Sequence, residues 1–274
     1  MFDLRLPTVT LSLEHPVVMG VVNVTPDSFS DGGRFLDHRH AIDHGLALAA
    51  QGAQIVDVGG ESTRSGASPV DTNEEMRRVT EVIAGLAAQH VIVSVDTRHA
   101  VIAEQAVQQG ASIINDVSGL RDRAMRQVVA RYDVPVVIMH SPVDNPATMQ
   151  QHAHYGDVVA DVIAFLKHQI HLAHQDGVEQ IIIDPGIGFG KTTEHNLELI
   201  RRLEEIVALG FPVLVGVSRK RFIGDITRTE RPADRLAGTL AAHLATLDRG
   251  ARLVRTHDVA DHVQAIRMWQ ALQT

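Results

Sequence analysis

Residues 49–58 read AAQGAQIVDV: a helical stretch ends near Gly52, and a β-branched run follows within three residues. The same succession returns as VQQGASIIND at 107–116, HQDGVEQIIID at 174–184, ALGFPVLVGV at 208–217 and LDRGARLVRT at 247–256. In each, Gly52, Gly110, Gly177, Gly210 or Gly250 stands where a helix C-terminus needs a left-handed residue, which glycine adopts without a Cβ penalty. The apolar runs hardly alternate, as expected of parallel strands covered on both faces. Eight strands are predicted: Val17–Val22, Ile55–Val58, Val91–Val95, Ser112–Asn115, Val134–Met139, Ile181–Ile183, Val213–Val217 and Ala251–Val254. Segments such as EEMRRVTEVIAGLAA (74–88) and HNLELIRRLEEIVAL (195–209) have helical apolar spacing, and Asp71-Thr72-Asn73-Glu74 has the spacing of a capping box. Eight strands alternating with eight helices predict a closed (β/α)8 TIM barrel, with an open doubly wound sheet as the alternative. Residues Phe2–Leu13 alternate apolar and polar and are expected to form a short hairpin at the barrel's bottom. No linker or composition break appears, so residues 1–274 read as one domain.

Composition narrows the function. The chain has 274 residues, 45% hydrophobic and 21% charged, enough for a large core. A net charge of −8 argues against general binding to nucleic acid or acidic membranes. The absence of cysteine excludes disulfides, thiolate nucleophiles and zinc-thiolate sites. The opening MFDLRLPTVTLSLEHP lacks a cationic start with an apolar segment behind it, and no apolar run reaches the roughly 18 residues of a membrane helix. A soluble, cytoplasmic protein is expected.

In a barrel of this kind, chemistry sits just past the C-terminal end of each strand. Those positions here are polar in all eight cases: Asn23; Gly59 to Arg64; Asp96; Asn115 and Asp116; His140; Asp184; Ser218-Arg219-Lys220; and Arg255-Thr256-His257. Helix capping accounts for some of them, and is the expected role of Asp116 and Asp258. Two carboxylates and an amide, Asp96, Asn115 and Asp184, are suited to the N–H groups of a flat nitrogen heterocycle; an internal salt bridge with Lys220 is the alternative. Arg255 and His257, two apart, would project to one side of an extended chain and grip an anion. Two features are decoys. DPGIGFGKTT (184–193) looks like a P-loop, but Pro185 stands where its first glycine belongs. The triplets His38/His40/His44 and His168/His171/His174 are spaced like metal ligands, but fall on helices expected outside the barrel.

MGVVNVTPDSFSDGG (19–33), IVDVGGESTR (55–64), VSVDT (93–97), IIND (113–116), DPGIGFGK (184–191), VGVSRK (215–220) and VRTHDV (254–259) together resemble the bacterial dihydropteroate synthases, in that family's order, from Val17 to about Met268. The resemblance implies a transferase of folate biosynthesis. It would condense 6-hydroxymethyl-7,8-dihydropterin pyrophosphate with p-aminobenzoate to 7,8-dihydropteroate, with Mg2+ as cofactor, and would be inhibited by sulfonamides. It implies that Asp96, Asn115, Asp184 and Lys220 hold the pterin, with Arg255 over one face and Met139 lining the pocket. Asn23, Arg255 and His257 would take the pyrophosphate, Asn23 with help from the metal. Thr63, Arg64, Phe189, Ser218 and Lys220 would border the p-aminobenzoate. Asn23, Lys220, Arg255 and His257 are then the expected catalytic set. The resemblance also implies a homodimer, for which the apolar stretches Leu236–Leu247 and Val259–Leu272 are suited.

Ser65 replaces a proline usual in the family, and MHSPVDNPATMQ (139–150) is about one residue longer than usual. The first change is expected to weaken binding of p-aminobenzoate and sulfonamides. The stretch Thr25–Gly33 is expected to close over the second substrate together with 61–68. A pterin-dependent methyltransferase on the same barrel is the main alternative; it would share the trio but needs no pyrophosphate grip.

Overall fold

The computed structural model describes residues 2–24, 34–61, 70–143 and 153–273, with side chains from residue 38 in the second segment. The strands are β1 Asp3–Arg5, β2 Thr10–Ser12, β3 Val17–Asn23, β4 Ile55–Gly59, β5 Val93–Asp96, β6 Ile113–Asp116, β7 Val136–Met139, β8 Ile181–Asp184, β9 Leu214–Val215 and β10 Leu253–Thr256. Strands β3 to β10 form one parallel sheet in the order β8-β7-β6-β5-β4-β3-β10-β9. A parallel bridge between Ile183 and Val213 joins its two ends, with Ile183 N–H donating to Pro212 O at 2.9 Å. The sheet is therefore a barrel, and the open-sheet alternative falls.

The helices are α1 Arg34–Ala50, α2 Thr72–Ala87, α3 Ala100–Gln108, α4 Arg123–Tyr132, α5 Val158–Gln175, α6 Thr193–Arg201, α7 Leu203–Val207, α8 Arg221–Thr227, α9 Leu236–Asp248 and α10 Val259–Gln273. One expected helix is thus split at Arg202, while the stretch Leu236–Leu247 is helical as α9, preceded by α8 and a 3-10 turn at Pro232–Arg235. All five glycines at the helix ends have positive φ, from 84° to 106°. Asp71 caps α2 by accepting from Asn73 N–H at 3.0 Å, whereas the Glu74 carboxylate pairs with Arg77 and Arg78. No described helix is long and apolar enough to cross a membrane.

Strand ends moved for identifiable reasons. Val91 N–H turns back to Leu86 O, so β5 starts at Val93 rather than Val91. The expected seventh strand, Val213–Val217, keeps only two residues. Its leading Pro212 has no N–H to donate, and Val217 N–H is taken by a histidine ring, His243 Nε2, at 3.2 Å.

Period-two alternation divides each strand's side chains. One set, including Val56, Val58, Val95, Ile114, Ile138, Ile183 and Val254, packs outward under the helices. The other set, Met19, Ile55, Ile113, Val137, Ile182, Leu214 and Leu253, fills the barrel's lower interior, where Leu4, Leu6 and Leu13 of the hairpin pack against it. The hairpin therefore plugs the bottom, as its pattern predicts. Gln180 clips it in place: its Oε1 accepts from Arg5 N–H at 2.8 Å, while Nε2 donates to Arg5 O and Asp133 O. Losing that side chain would leave three part-buried backbone groups without this partner, at up to about 1–3 kcal/mol.

Candidate active site

Two residues beyond the apolar floor, the inward column changes character. Ile55 is followed by Asp57, Ile113 by Asn115, Val137 by Met139, Ile182 by Asp184 and Leu253 by Arg255. Strand pairing sets their spacing: Asn23 faces Gly59, Gly59 faces Asp96 and Asp96 faces Asn115, while Met139 faces Asp184. One half of the rim thus carries Asn23, Asp96 and Asn115 on a continuous rung.

Arg255 lies at the centre. Its Nε donates to Asp57 Oδ2 at 2.6 Å, and its Nη2 donates to Asp96 Oδ2 at 2.8 Å. Asn115 Nδ2 donates to the same Asp57 oxygen at 3.0 Å. The ion pair within the carboxylate group is therefore with Arg255, not with Lys220 as the alternative assignment had it. Asp57, fully buried, was not singled out from sequence; a carboxylate in the middle of an apolar strand was the available signal. Its Oδ1 and the facing Ser94 Oγ are buried without a hydrogen-bond partner among the described residues.

Burial raises the Asp96 carboxyl to about 7, against the opposing pull of Arg255. Burial likewise raises Asp184, with Lys220 and the Gly186 N–H, which donates to Asp184 Oδ1 at 2.7 Å, acting the other way. Burial lowers Lys220 to about 8, while Asp184 supports its charge. Lys220 Nζ donates to Ile187 O and stands 4.4 Å from the centre of the Phe189 ring, a cation–π contact. The loop after β8 can approach this closely because Gly188 has no side chain: a Cβ there would lie 2.5 Å from Lys220 Cδ. At Gly186, φ is +66° and a Cβ would fall 1.8 Å from His140 O, so only glycine fits.

The P-loop-like lysine has a local task. Lys191 Nζ donates to Gly186 O at 2.8 Å and Phe189 O at 3.0 Å, and lies 2.9 Å from His140 Nδ1. Burial pushes Lys191 well below the usual lysine value and His140 down to about 2. This pair clamps the loop that carries Phe189 and Ile187.

On the other side, Ser218 Oγ is 3.0 Å from His257 Nδ1 and accepts from His257 N–H at 3.2 Å. Arg255 and His257 flank the buried Thr256, as their spacing predicts, but Arg255 points to Asp57 and Asp96. The two capping assignments need correction. Asp116 caps no helix; its carboxylate accepts from Ser118 N–H, Ser118 Oγ and Leu120 N–H, and burial raises it to about 6. Asp258 precedes α10, but its carboxylate is committed to Arg219. Thr63, Arg64, Ser65 and Thr25–Gly33 lie outside the described residues.

For a divalent cation, Asn23 offers a neutral amide oxygen at the end of β3. That fits Mg2+, which takes one or two protein oxygens and completes its shell with phosphates and water. Ligand atoms of Glu61, Glu75 and His99 also lie within 4.8 Å of one another. Those groups are already engaged: Glu75 with Thr97 Oγ1 and His99 Nδ1, Glu61 with Arg98 and Val70 N–H. They form an internal ion-pair cluster. The decoy histidines behave as expected: His168, His171, His174, His40 and His44 are exposed, and His38 is half-buried beside Glu81.

The family model described as pterin binding enzyme matches residues 19–257. A dihydropteroate synthase of Neisseria meningitidis serogroup B is 44% identical over 270 residues, 96% of this chain and 94% of its own length. A Haloferax volcanii protein described as a probable bifunctional folylpolyglutamate synthase/dihydropteroate synthase is 46% identical over 92% of this chain, which spans only 30% of that longer protein. The solved Xanthomonas albilineans dihydropteroate synthase with 4-aminobenzoic acid superposes with a TM-score of 0.94 at 48% identity, covering 99% of this chain and 98% of that one. With a closed barrel, a rim of acceptors and cations, and near full-length similarity, this chain belongs to the pterin-binding enzymes, among the dihydropteroate synthases.

Proposed function

We infer that the chain joins a 7,8-dihydropterin carrying a CH2-pyrophosphate to p-aminobenzoate, forming 7,8-dihydropteroate and releasing pyrophosphate. One observation carries the reading: the acceptors Asp96, Asn115 and Asp184 meet the cations Lys220 and Arg255 at one rim, with His257 two residues past Arg255 beyond the end of β10. Asp96, Asn115 and Asp184 would accept or exchange hydrogen bonds with the pterin N–H groups, each worth roughly 1.5–3 kcal/mol when charge-assisted. Met139 would line the ring and Arg255 cover one face, which requires its guanidinium to adjust from its carboxylate partners. When the methylene C–O bond breaks, the electron pair leaves with pyrophosphate and positive charge spreads into the pterin. Arg255 and His257 stabilise the departing anion.

Asn23 would hold Mg2+, which supplies charge neutralisation for the pyrophosphate when bound. The aniline nitrogen of p-aminobenzoate, bordered by Phe189, Ser218, Lys220, Thr63 and Arg64, forms the new C–N bond and loses a proton. No covalent enzyme intermediate is required. The alternative methyltransferase would have no use for the Asn23, Arg255 and His257 grip. Protein mixed with Mg2+, dihydropterin pyrophosphate and p-aminobenzoate is expected to yield dihydropteroate, with sulfonamides competing against p-aminobenzoate. His257→Ala is expected to weaken pyrophosphate binding about tenfold, near the 1.4 kcal/mol of one good hydrogen bond. Folded protein without product would refute the function, and His257→Ala with wild-type pyrophosphate affinity would refute that role.

We also infer a homodimer formed on the face of α9 and α10. These helices pack on each other and leave Met268 and Leu272 exposed on α10, 60% and 72% respectively. Light scattering is expected to give twice the chain mass, and Met268→Glu with Leu272→Glu to halve it; a monomeric wild type would end the idea.

A further inference from the structure

Two histidines that no motif singled out, His243 on α9 and His262 on α10, are almost wholly buried behind β9 and β10. They touch each other, His243 Nδ1 to His262 Nε2 at 2.8 Å. The hydrogen-bond partners at the two ends decide where the protons sit. His262 Nδ1 is 2.6 Å from the carbonyl of Asp258, which only accepts, so this nitrogen carries a proton. In a neutral ring, His262 Nε2 then accepts, and His243 Nδ1 must donate to it. His243 Nε2 is left as an acceptor, where Val217 N–H donates to it at 3.2 Å. The Val215 carbonyl, also 3.2 Å away, would pull the proton the other way, but the backbone donor of Val217 and the bond from His262 agree against it. Both rings are held uncharged by burial, which lowers His243 and His262 below the usual histidine value.

The chain of bonds continues toward the rim. Thr256 Oγ1 accepts from Asp258 N–H at 3.1 Å and lies 3.1 Å from the protonated His262 Nδ1. Neither neighbour can accept, because Asp258 N–H and the protonated His262 Nδ1 are both donors, so the Thr256 hydroxyl proton is directed to Ser218 Oγ at 3.4 Å. Ser218 Oγ also accepts from His257 N–H. With its own lone pairs filled, Ser218 donates its proton to His257 Nδ1 at 3.0 Å. A neutral His257 then carries its ring proton on Nε2.

We propose that His243 and His262 are positioning residues: a buried imidazole pair that spaces the loops after β9 and β10 and, through Thr256 and Ser218, sets the tautomer of His257. Neither touches substrate. Their effect reaches the reaction through the donor that His257 presents, so the proposal rests on the pyrophosphate role given above.

The test uses 15N-histidine-labelled full-length protein without substrate, read by long-range proton–nitrogen correlation spectra. In the wild type, His243 and His262 are expected as Nδ1–H tautomers and His257 as the Nε2–H tautomer. Thr256→Val, nearly isosteric, and His262→Leu are expected to leave His257 as a mixture of tautomers. Both are expected to weaken binding of inorganic pyrophosphate with Mg2+ about tenfold in calorimetry, with pterin affinity within twofold of wild type. His262→Asn, which restores a donor toward Asp258 O, is expected to recover part of the loss. His257 as an Nδ1–H tautomer in the wild type overturns the proposal. So do variants that only melt earlier, with His257 and pyrophosphate affinity unchanged. A tautomer that responds while His257→Ala still binds pyrophosphate normally would uphold the network and overturn the pyrophosphate role of His257 instead.

Discussion

Asp184→Asn is expected to lower kcat/KM about a hundred- to a thousandfold while leaving the protein at least as stable as the wild type. The amide can still accept from Gly186 N–H through its oxygen, so the loop after β8 keeps its shape. What disappears is the charge, and with it the proposed charge-assisted bond to the pterin and the proposed stabilisation of the methylene cation, together worth roughly 3–4 kcal/mol. Stability should not follow. Burial raises the Asp184 carboxyl above its ordinary value of 3.8, so its ionised form opposes folding at neutral pH. The stability it contributes is complete below pH 3.8 and is lost as pH rises through the folded-state value. An asparagine has no such cost. Lys220 would lose its nearest supporting carboxylate and titrate further below 8. Steady-state kinetics and thermal melts check both halves: wild-type kcat/KM would remove Asp184 from the chemistry, and a markedly lower melting temperature would show that its charge supports the fold.

Arg255→Met is expected to destabilise the protein by about 3–5 kcal/mol at pH 8, with much of that loss recovered at pH 5. Breaking one side of a buried charge pair leaves an uncompensated ion, and here two carboxylates, Asp57 and Asp96, share the single guanidinium. Asp96 is already raised to about 7 by burial with the arginine present, and Asp57 adds to that rise. Without Arg255 its folded-state value climbs further from the ordinary 3.8. Between those two values the folded protein holds more protons than the unfolded chain, so stability falls as pH increases. Adding Asp96→Asn to Arg255→Met is expected to restore most of the stability and none of the activity. Chemical denaturation across pH 5–8 gives the answer. A loss independent of pH would mean that Arg255 contributes through packing alone.

Much of the site was legible because a parallel barrel confines polar side chains to strand ends. Asp96, Asn115 and Asp184 each close an apolar run, and the structure places them at the rim. Asp57 escaped notice because it sits inside its strand, two residues before the end, where sequence offers no sign of which face a side chain takes. Lys191 invited a nucleotide reading through its GKT context, yet its amine is spent on the carbonyls of its own loop. His243 and His262 looked like ordinary helical residues; the partners of His243 lie 19 to 28 positions away along the chain, and His262 joins that distant residue to Asp258 and Thr256 before its own helix.

Local sequence therefore determined the repeating unit and the hairpin plug. Left-handed glycines at helix ends, unbroken β-branched runs and their order are short-range properties, and right-handed crossovers leave them few ways to assemble. Which carboxylate holds Arg255, where the seventh strand gives up its ladder, and which nitrogen of each buried histidine carries the proton were decided only by the tertiary structure. Those choices depend mostly on hydrogen bonds between strands and helices far apart in sequence. A buried polar group takes whichever partner closure of the barrel brings within about 3 Å.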